Sequence, residues 1–393
     1  MKKLIIDLNQ KMSSRSRGKK NKKKQIKKEK MVYNYSEVDF SKREFNPLNE
    51  VKIDHKLLKK LLSIQSPSGN EYEMIKFIAN FIKEEKIENV NVELDEKNNL
   101  LVTKGQAELY PCFVCHTDEV NSIQSDRTII KLNNCYIGIN KNTGKYSGVG
   151  ADDALGVYIC IEALRRHENV KVAFFASEEI GCVGSSAVDI NFFKDCAFIF
   201  QPDRKGNDEV IKYTNGVDTA SEEFKDLFKD VMKDYSYKYS DGTSTDVGNL
   251  IKRKANCCGF NFGCGYYQPH SLEEKVCISD LENCMNLMFK MGDIVMSTGK
   301  KFDYIPVTKT YATSYSRYND YGGYGKYESY GRYNDYGYWK DEDFYNDHVK
   351  NNTKKNTSKK DICIFCEFCR LESCVDCPFV EEKEESSNKD DKN

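Results

Sequence analysis

Residues 172–181, VAFFASEEIG, set an apolar run directly against two adjacent carboxylates. A short run that is apolar on both faces reads as an interior strand of a parallel or mixed sheet, and functional groups gather just beyond the carboxyl ends of such strands. Glu178 and Glu179 therefore stand where a site would be. The same pair would equally suit a solvated first helical turn, where the macrodipole favours acids. The remaining segments decide between the two.

Leu57, Leu58, Leu61 and Leu62 recur at helical spacing behind Asp54, a ready N-cap. The loop SPSGNE at 66–71 leads into a second amphipathic helix carrying Met74, Ile75, Ile78, Phe81 and Ile82. Short β-like runs follow at NVNVEL, NLLVTK and YPCFVC, and TIIKL with CYIGI reads as a hairpin. Helices expected over 154–166, 222–234, 246–252 and 281–296 then interleave with strands expected over 170–176, 197–201 and 255–260. This order predicts an α/β domain with a mixed, mostly parallel central sheet flanked by helices. We assign it residues 46–304.

Outside that core the composition changes. Residues 1–45 include a stretch, 15–30, with ten basic residues and one acid. Such a like-charge block reads as a disordered tail, either solubilising or loosely attractive to nucleic acid. Met31 is a second candidate initiator within it. Residues 305–350 are rich in Tyr and Gly and repeat the hexamer RYNDYG at 317–322 and 332–337. Two copies fall short of the roughly three units that a solenoid needs, so a disordered segment is expected, with base stacking by its tyrosines the nucleic-acid alternative. Residues 351–393 carry Cys363, Cys366, Cys369, Cys374 and Cys377, spaced C-x2-C-x2-C-x4-C-x2-C. Four of these five thiols would suit a tetrahedral zinc, an iron–sulfur site being the variant reading and a disordered thiol-bearing tail the plain one.

The other eleven of the 16 cysteines lie between Cys112 and Cys284, mostly in apolar contexts, and are expected to be core residues in a reducing compartment. No run of about 18 apolar residues would span a bilayer, and the opening MKKLIIDLNQKM is too short in its apolar core for a secretory signal. A cytoplasmic protein without a membrane partner is the expectation. The net charge of −1 by itself points to no partner.

Of five histidines, His116 follows CFVC in an H-x-D pattern and His270 lies in GYYQPHSLEE before the last expected helix. A lone histidine is more often structural than a ligand. Here Asp152 and Asp153 in GVGADDALG, Glu178 and Glu179, and Asp203 in FIFQPD all fall at expected strand or loop ends of the same sheet. The ordered set HTD, GADD, SEE, QPD and PHS, with SPSG upstream, resembles the binuclear zinc exopeptidases, which include peptidase T, glutamyl-aminopeptidase-like enzymes and bacterial zinc aminopeptidases. The resemblance covers about residues 53–298 and neither tail.

Carried over by that resemblance, His116 and Asp203 would hold one divalent ion, Glu179 and His270 a second, and Asp152 would bridge both. Asp118 would orient His116, and Glu178 would be the general base. The peptide bond after the bridging aspartate is often cis in that family, which makes Asp152–Asp153 a candidate. Zinc is the expected metal, and cobalt and manganese suit the same donors. Carboxypeptidase-like relatives insert a lid between the single Asp and the final His, but Asp203 and His270 are only 67 residues apart. Glutamyl-aminopeptidase relatives insert a domain before the bridging Asp, yet His116 and Asp152 are only 36 apart. A lidless aminopeptidase acting on peptides is therefore expected, with an acyl-amino-acid deacylase of the carboxypeptidase or aminoacylase type as the alternative. A catalytically silent scaffold of the same fold is the reading from another class, and the complete set of ligands and base stands against it. Asp246 in GTSTDVGNL reads either as a neighbour of the site or as the N-cap of the next helix.

Overall fold

The computed structural model describes residues 51–306. The basic and cysteine-rich tails and nearly all of the tyrosine-rich segment, with Cys363, Cys366, Cys369, Cys374 and Cys377, lie outside the described residues. The first part of the chain forms α1 (His55–Ser63), α2 (Tyr72–Glu84), β1 (Val90–Leu94), β2 (Leu100–Lys104), β3 (Tyr110–His116), β4 (Arg127–Leu132) and β5 (Cys135–Asn140). Then come α3 (Ala151–Arg166), β6 (Val170–Phe175), α4 (Val183–Ala187), β7 (Cys196–Arg204), β8 (Glu209–Thr214) and β9 (Val217–Asp218). The last part holds α5 (Glu222–Asp226), α6 (Lys229–Asp234), β10 (Lys238–Asp241), α7 (Asp246–Lys252), β11 (Cys258–Gly263), β12 (Tyr266–Tyr267), β13 (Lys275–Cys277) and α8 (Ile278–Ser297).

The main sheet runs β1-β2-β6-β3-β7-β11-β8-β10. Its middle four strands, β6, β3, β7 and β11, are mutually parallel, whereas β1, β2 and the β11–β8 pair supply antiparallel edges. The domain is thus α/β with a largely parallel centre. Alternate side chains of the middle strands feed two cores, as the two-residue period of a strand requires. Phe113, Cys115, Val172, Phe174, Phe198 and Phe200 enter the larger core under α3 and α8, while Cys112, Val114, Ala173, Phe175 and Ile199 enter the smaller one with Val247, Leu250 and Ile251 of α7. Burying each such phenylalanine is worth about 1.5–3 kcal/mol. All strands of the parallel centre consequently end their carboxyl termini at one edge.

A second, four-stranded antiparallel sheet runs β12-β13-β5-β4. It contains the expected β4–β5 hairpin, paired from Arg127–Asn140 to Leu132–Cys135. Helix α1 starts as expected, with the Asp54 carboxylate accepting from the amides of Lys56 and Leu57. The helix expected over 222–234 is broken into α5 and α6, because the chain leaves the helical path at Phe228 while both Phe224 and Phe228 turn into the aromatic cluster. The strand expected over 255–260 begins three residues later, at Cys258, since Ala255 still closes a turn onto Leu250. Strands β8 and β10 were not expected. The eleven cysteines among the described residues carry no disulfide, and all but Cys135 are buried. No helix among the described residues is long and apolar enough to cross a membrane.

Candidate metal centre

Three parallel strands and one helix entry converge. His116 is the last residue of β3, the pair Glu178 and Glu179 follows β6, Asp203 lies near the end of β7, and Asp152 and Asp153 open α3. His270, in the loop between β12 and β13, comes from the smaller sheet. The backbone at the α3 entry is non-helical at Asp152 and Asp153, and the bond between them is cis.

His116 Nε2 lies 3.2 Å from Asp152 Oδ1 and 3.6 Å from Asp203 Oδ1. His270 Nε2 lies 3.3 Å from Asp152 Oδ2 and 3.2 Å from Glu179 Oε2. The structure therefore brings together His116, Asp152, Glu179, Asp203 and His270. Asp153 also comes within reach of His116 and Asp203, but its oxygens accept from the amides of His116 and Gly156. Its work is local, tying the end of β3 to the first turn of α3.

Asp118 is a hub. Its Oδ1 lies 3.3 Å from His116 Nδ1 and accepts from the Glu178 amide, and its Oδ2 accepts from Ser68 Oγ and the Glu179 amide. One carboxylate thus orients the imidazole, seats both glutamates and anchors the SPSG loop. Glu71 pins the other end of that loop, accepting from the Gly69 amide and from the amide and hydroxyl of Ser177. Asp203 Oδ2 accepts from Gln201 Nε2 and Thr245 Oγ1, and its amide donates to Asn261. At the α3 entry, Glu274 accepts from the amides of Ala151 and Asp152 and so holds the backbone of Asp152. Sequence reading missed Glu71 and Glu274, since a single glutamate in a loop carries no pattern of its own. The signal for Glu274 was present only as its position four residues after His270.

Electrostatics follow from depth and partners. Burial opposes protonation of His116, but Asp118, Asp152 and Asp203 outweigh it and hold the imidazole well above the usual histidine range. Hydrogen bonds to Asp152 and then Glu179 push His270 up to about 10. Burial pushes Asp203 up to about 6, Asp246 to about 7 and Glu274 to about 8, and holds Glu178 well above the usual carboxylate range. Burial also opposes the Asp152 anion, yet His116 and His270 more than offset it and bring that carboxyl well below its usual range. Carboxyl groups far outnumber imidazoles in this buried cluster, so its charge calls for protons or cations.

The donor set suits divalent cations. His116 is held by Asp118 through Nδ1, which leaves Nε2 facing the carboxylates, as ligating histidines require. Glu179 Oε1 is buried and has no hydrogen-bond partner. Nitrogen and oxygen donors with no thiolate among them suit zinc, cobalt or manganese alike.

Asp246 lies beside this cluster and is not an N-cap. It is the first residue of α7 behind Thr245, it is fully buried, and its carboxylate sits within 4.8 Å of ligand atoms of Glu178 and Cys182.

Residues 112–292 match the sequence profile of Peptidase family M20/M25/M40, and the matched segment spans His116 to His270. Among solved structures, the aminopeptidase PepT of Bacillus cereus is similar at 12% identity with a TM-score of 0.52, over 61% of this chain and 97% of that one. A tripeptidase of Staphylococcus aureus is similar at 12% identity and a TM-score of 0.49, over 62% and 97% of the two chains. An aminopeptidase of Desulfurococcus kamchatkensis gives 17% identity and 0.44, over 62% and 96%. The first of these likenesses shows a shared fold. No curated protein matches.

Proposed function

We propose that the chain is a binuclear metal-dependent hydrolase of amide bonds, an aminopeptidase acting on peptides with Glu178 as general base. The observation that carries this reading is the Asp152 carboxylate, which turns one oxygen to His116 and the other to His270. A carboxylate facing two imidazoles in this way is placed to bridge two cations, with Asp203 completing the ligands beside His116 and Glu179 those beside His270. Two divalent ions held there would polarise the scissile carbonyl and make the attacking water more acidic.

The remaining work belongs to the chain's own groups. Asp118 keeps the His116 ring in one orientation. Glu178, seated by its amide on Asp118, takes a proton from the attacking water and returns it to the leaving amine. Burial raises its pKa, which makes it a better proton acceptor once ionised. The aminopeptidase reading over the deacylase is supported by the segment between Asp203 and His270. Strands β8, β10 and β11 in that segment join the main sheet, which leaves no separate lid to grip a substrate carboxylate among the described residues.

Metal content by mass spectrometry, combined with a screen of unblocked peptides against acyl-amino acids, tests the proposal. The expected result is two equivalents of divalent metal and chelator-sensitive release of amino acids from unblocked peptides. Preference for acyl-amino acids would replace it with the deacylase, and two bound ions without any amide hydrolysis would leave the scaffold reading.

A further inference from the structure

Besides the ligand atoms around the two histidines, a separate group of ligand atoms meets at Glu178. Glu178, Cys182 and Asp246 each place one such atom within 4.8 Å of the others. The turn after β6 builds it: the amides of Gly181 and Cys182 both donate to the Glu178 carbonyl, which folds the Cys182 thiol back onto the glutamate. That thiol donates to Glu178 Oε1 at 3.3 Å, and the Ser244 hydroxyl lies 3.8 Å from the same sulfur. Asp246 comes in from α7. Its Oδ1 accepts from Ser185, but its Oδ2, on a fully buried residue, has no partner at all.

A buried carboxylate oxygen without a partner is costly, and a second carboxylate beside it raises that cost. Either a proton or a cation resolves the conflict. We propose that Glu178, Cys182 and Asp246 form a third cation site, distinct from the pair centred on Asp152, which takes a thiophilic divalent ion such as zinc or cadmium and inhibits the enzyme. The thiolate distinguishes this site from the all-nitrogen-and-oxygen pair and selects softer metals. On binding, the Cys182 S–H proton leaves to solvent, the metal–sulfur bond forms, and the buried Asp246 carboxylate gains a cationic partner. Glu178 then has its carboxylate committed to the ion and cannot accept the proton of water. The inhibition rests on the reading of Glu178 as general base; the binding does not.

The test uses the full chain and two readouts. Cadmium titration followed by thiolate-to-metal charge-transfer absorbance reports the sulfur ligand, and Cys182→Ser should lose one thiolate's share while other cysteines contribute equally to both proteins. Asp246→Asn serves as the second variant, retaining the thiol and removing the unpartnered carboxylate oxygen. Zinc inhibition is scored as the ratio of rates at high and low zinc within each protein. Outer partners of a metal alone are worth 10–100-fold, so losing a direct ligand should raise the inhibitory zinc concentration by at least about tenfold in both variants. Equal absorbance in parent and Cys182→Ser would overturn the site even if the chain is an active peptidase. A Cys182-dependent band in a chain without hydrolytic activity would keep the site and remove the peptidase reading. A Cys182-dependent band with no zinc inhibition of an active chain would overturn the inhibitory role.

Discussion

Strand β3 serves two regions three residues apart, and each buries a histidine. At Phe113 the strand enters an aromatic core, where the ring stacks on His167 at 5.8 Å and meets Phe198, Phe200 and Phe289 edge-on. At His116 the same strand ends among carboxylates. Burial and then Arg166 push His167 down to about 4, while the carboxylates hold His116 above its usual range although it is the more deeply buried of the two. Depth alone strips charge from an imidazole; depth with acidic partners keeps it. The two regions differ in partners, and that difference makes one end of the strand a core and the other a place for cations.

The largest effect should come from the residue on which the acidic region turns. Asp152→Ala removes both oxygens that face the two histidines, so both ions should be lost and hydrolysis should fall to background. Metal analysis after dialysis checks this, and two equivalents retained at unchanged affinity would break the assignment. Next come the paired glutamates. Glu178→Gln should keep both ions yet lower the rate by about 10²- to 10⁴-fold, roughly 3–5.5 kcal/mol of transition-state stabilisation. Glu179→Gln should instead weaken the ion shared with His270 and regain activity in excess metal. Rescue of the first and not the second would mean that the two have exchanged roles. In the aromatic region, Phe113→Ala should cost about 3–5 kcal/mol in denaturant unfolding while the metal content of the folded fraction stays unchanged. Loss of metal from that fraction would show that the core and the acidic edge are one unit.

Much of this contrast was readable in the sequence because both regions advertise themselves through short runs that are apolar on both faces. The unbroken apolar runs CFVC and VAFFA place the strands, and polar residues directly after each run mark the edge where they end. The polar network behind the ligands was not readable. Glu274 reaches the amide of Asp152 from 122 residues away, and Glu71 reaches Ser177 across 106, so only the folded chain brings them together. Strand β8, EVIKYT, mixes polar and apolar residues because it pairs near one side of the sheet and is only partly buried. The thiol of Cys182 was indistinguishable from the other core cysteines until the turn folded it onto Glu178.

The smallest effect, and the most direct probe of the comparison, is the pH dependence that His167 imposes. Its folded pKa of about 4 lies below the ordinary 6.5, so the unfolded chain binds a proton in this window that the folded core refuses. The stability it contributes is therefore complete above about pH 6.5 and is lost as pH falls toward 4, up to about 3 kcal/mol in all. His167→Phe keeps a ring against Phe113 and Phe289 and has no proton to take up. Unfolding free energies of parent and variant compared at about pH 7.5 and about pH 4.5 cancel the carboxyl titrations common to both, and the variant should gain roughly 2–3 kcal/mol on the parent between these values. His270 has the opposite sign in the metal-free protein: its raised pKa contributes stability that is present below 6.5 and lost as pH rises toward 10. If His167→Phe left the acid slope unchanged, the aromatic region would be tolerating a charged imidazole. Partners would then no longer account for the difference between the two ends of β3.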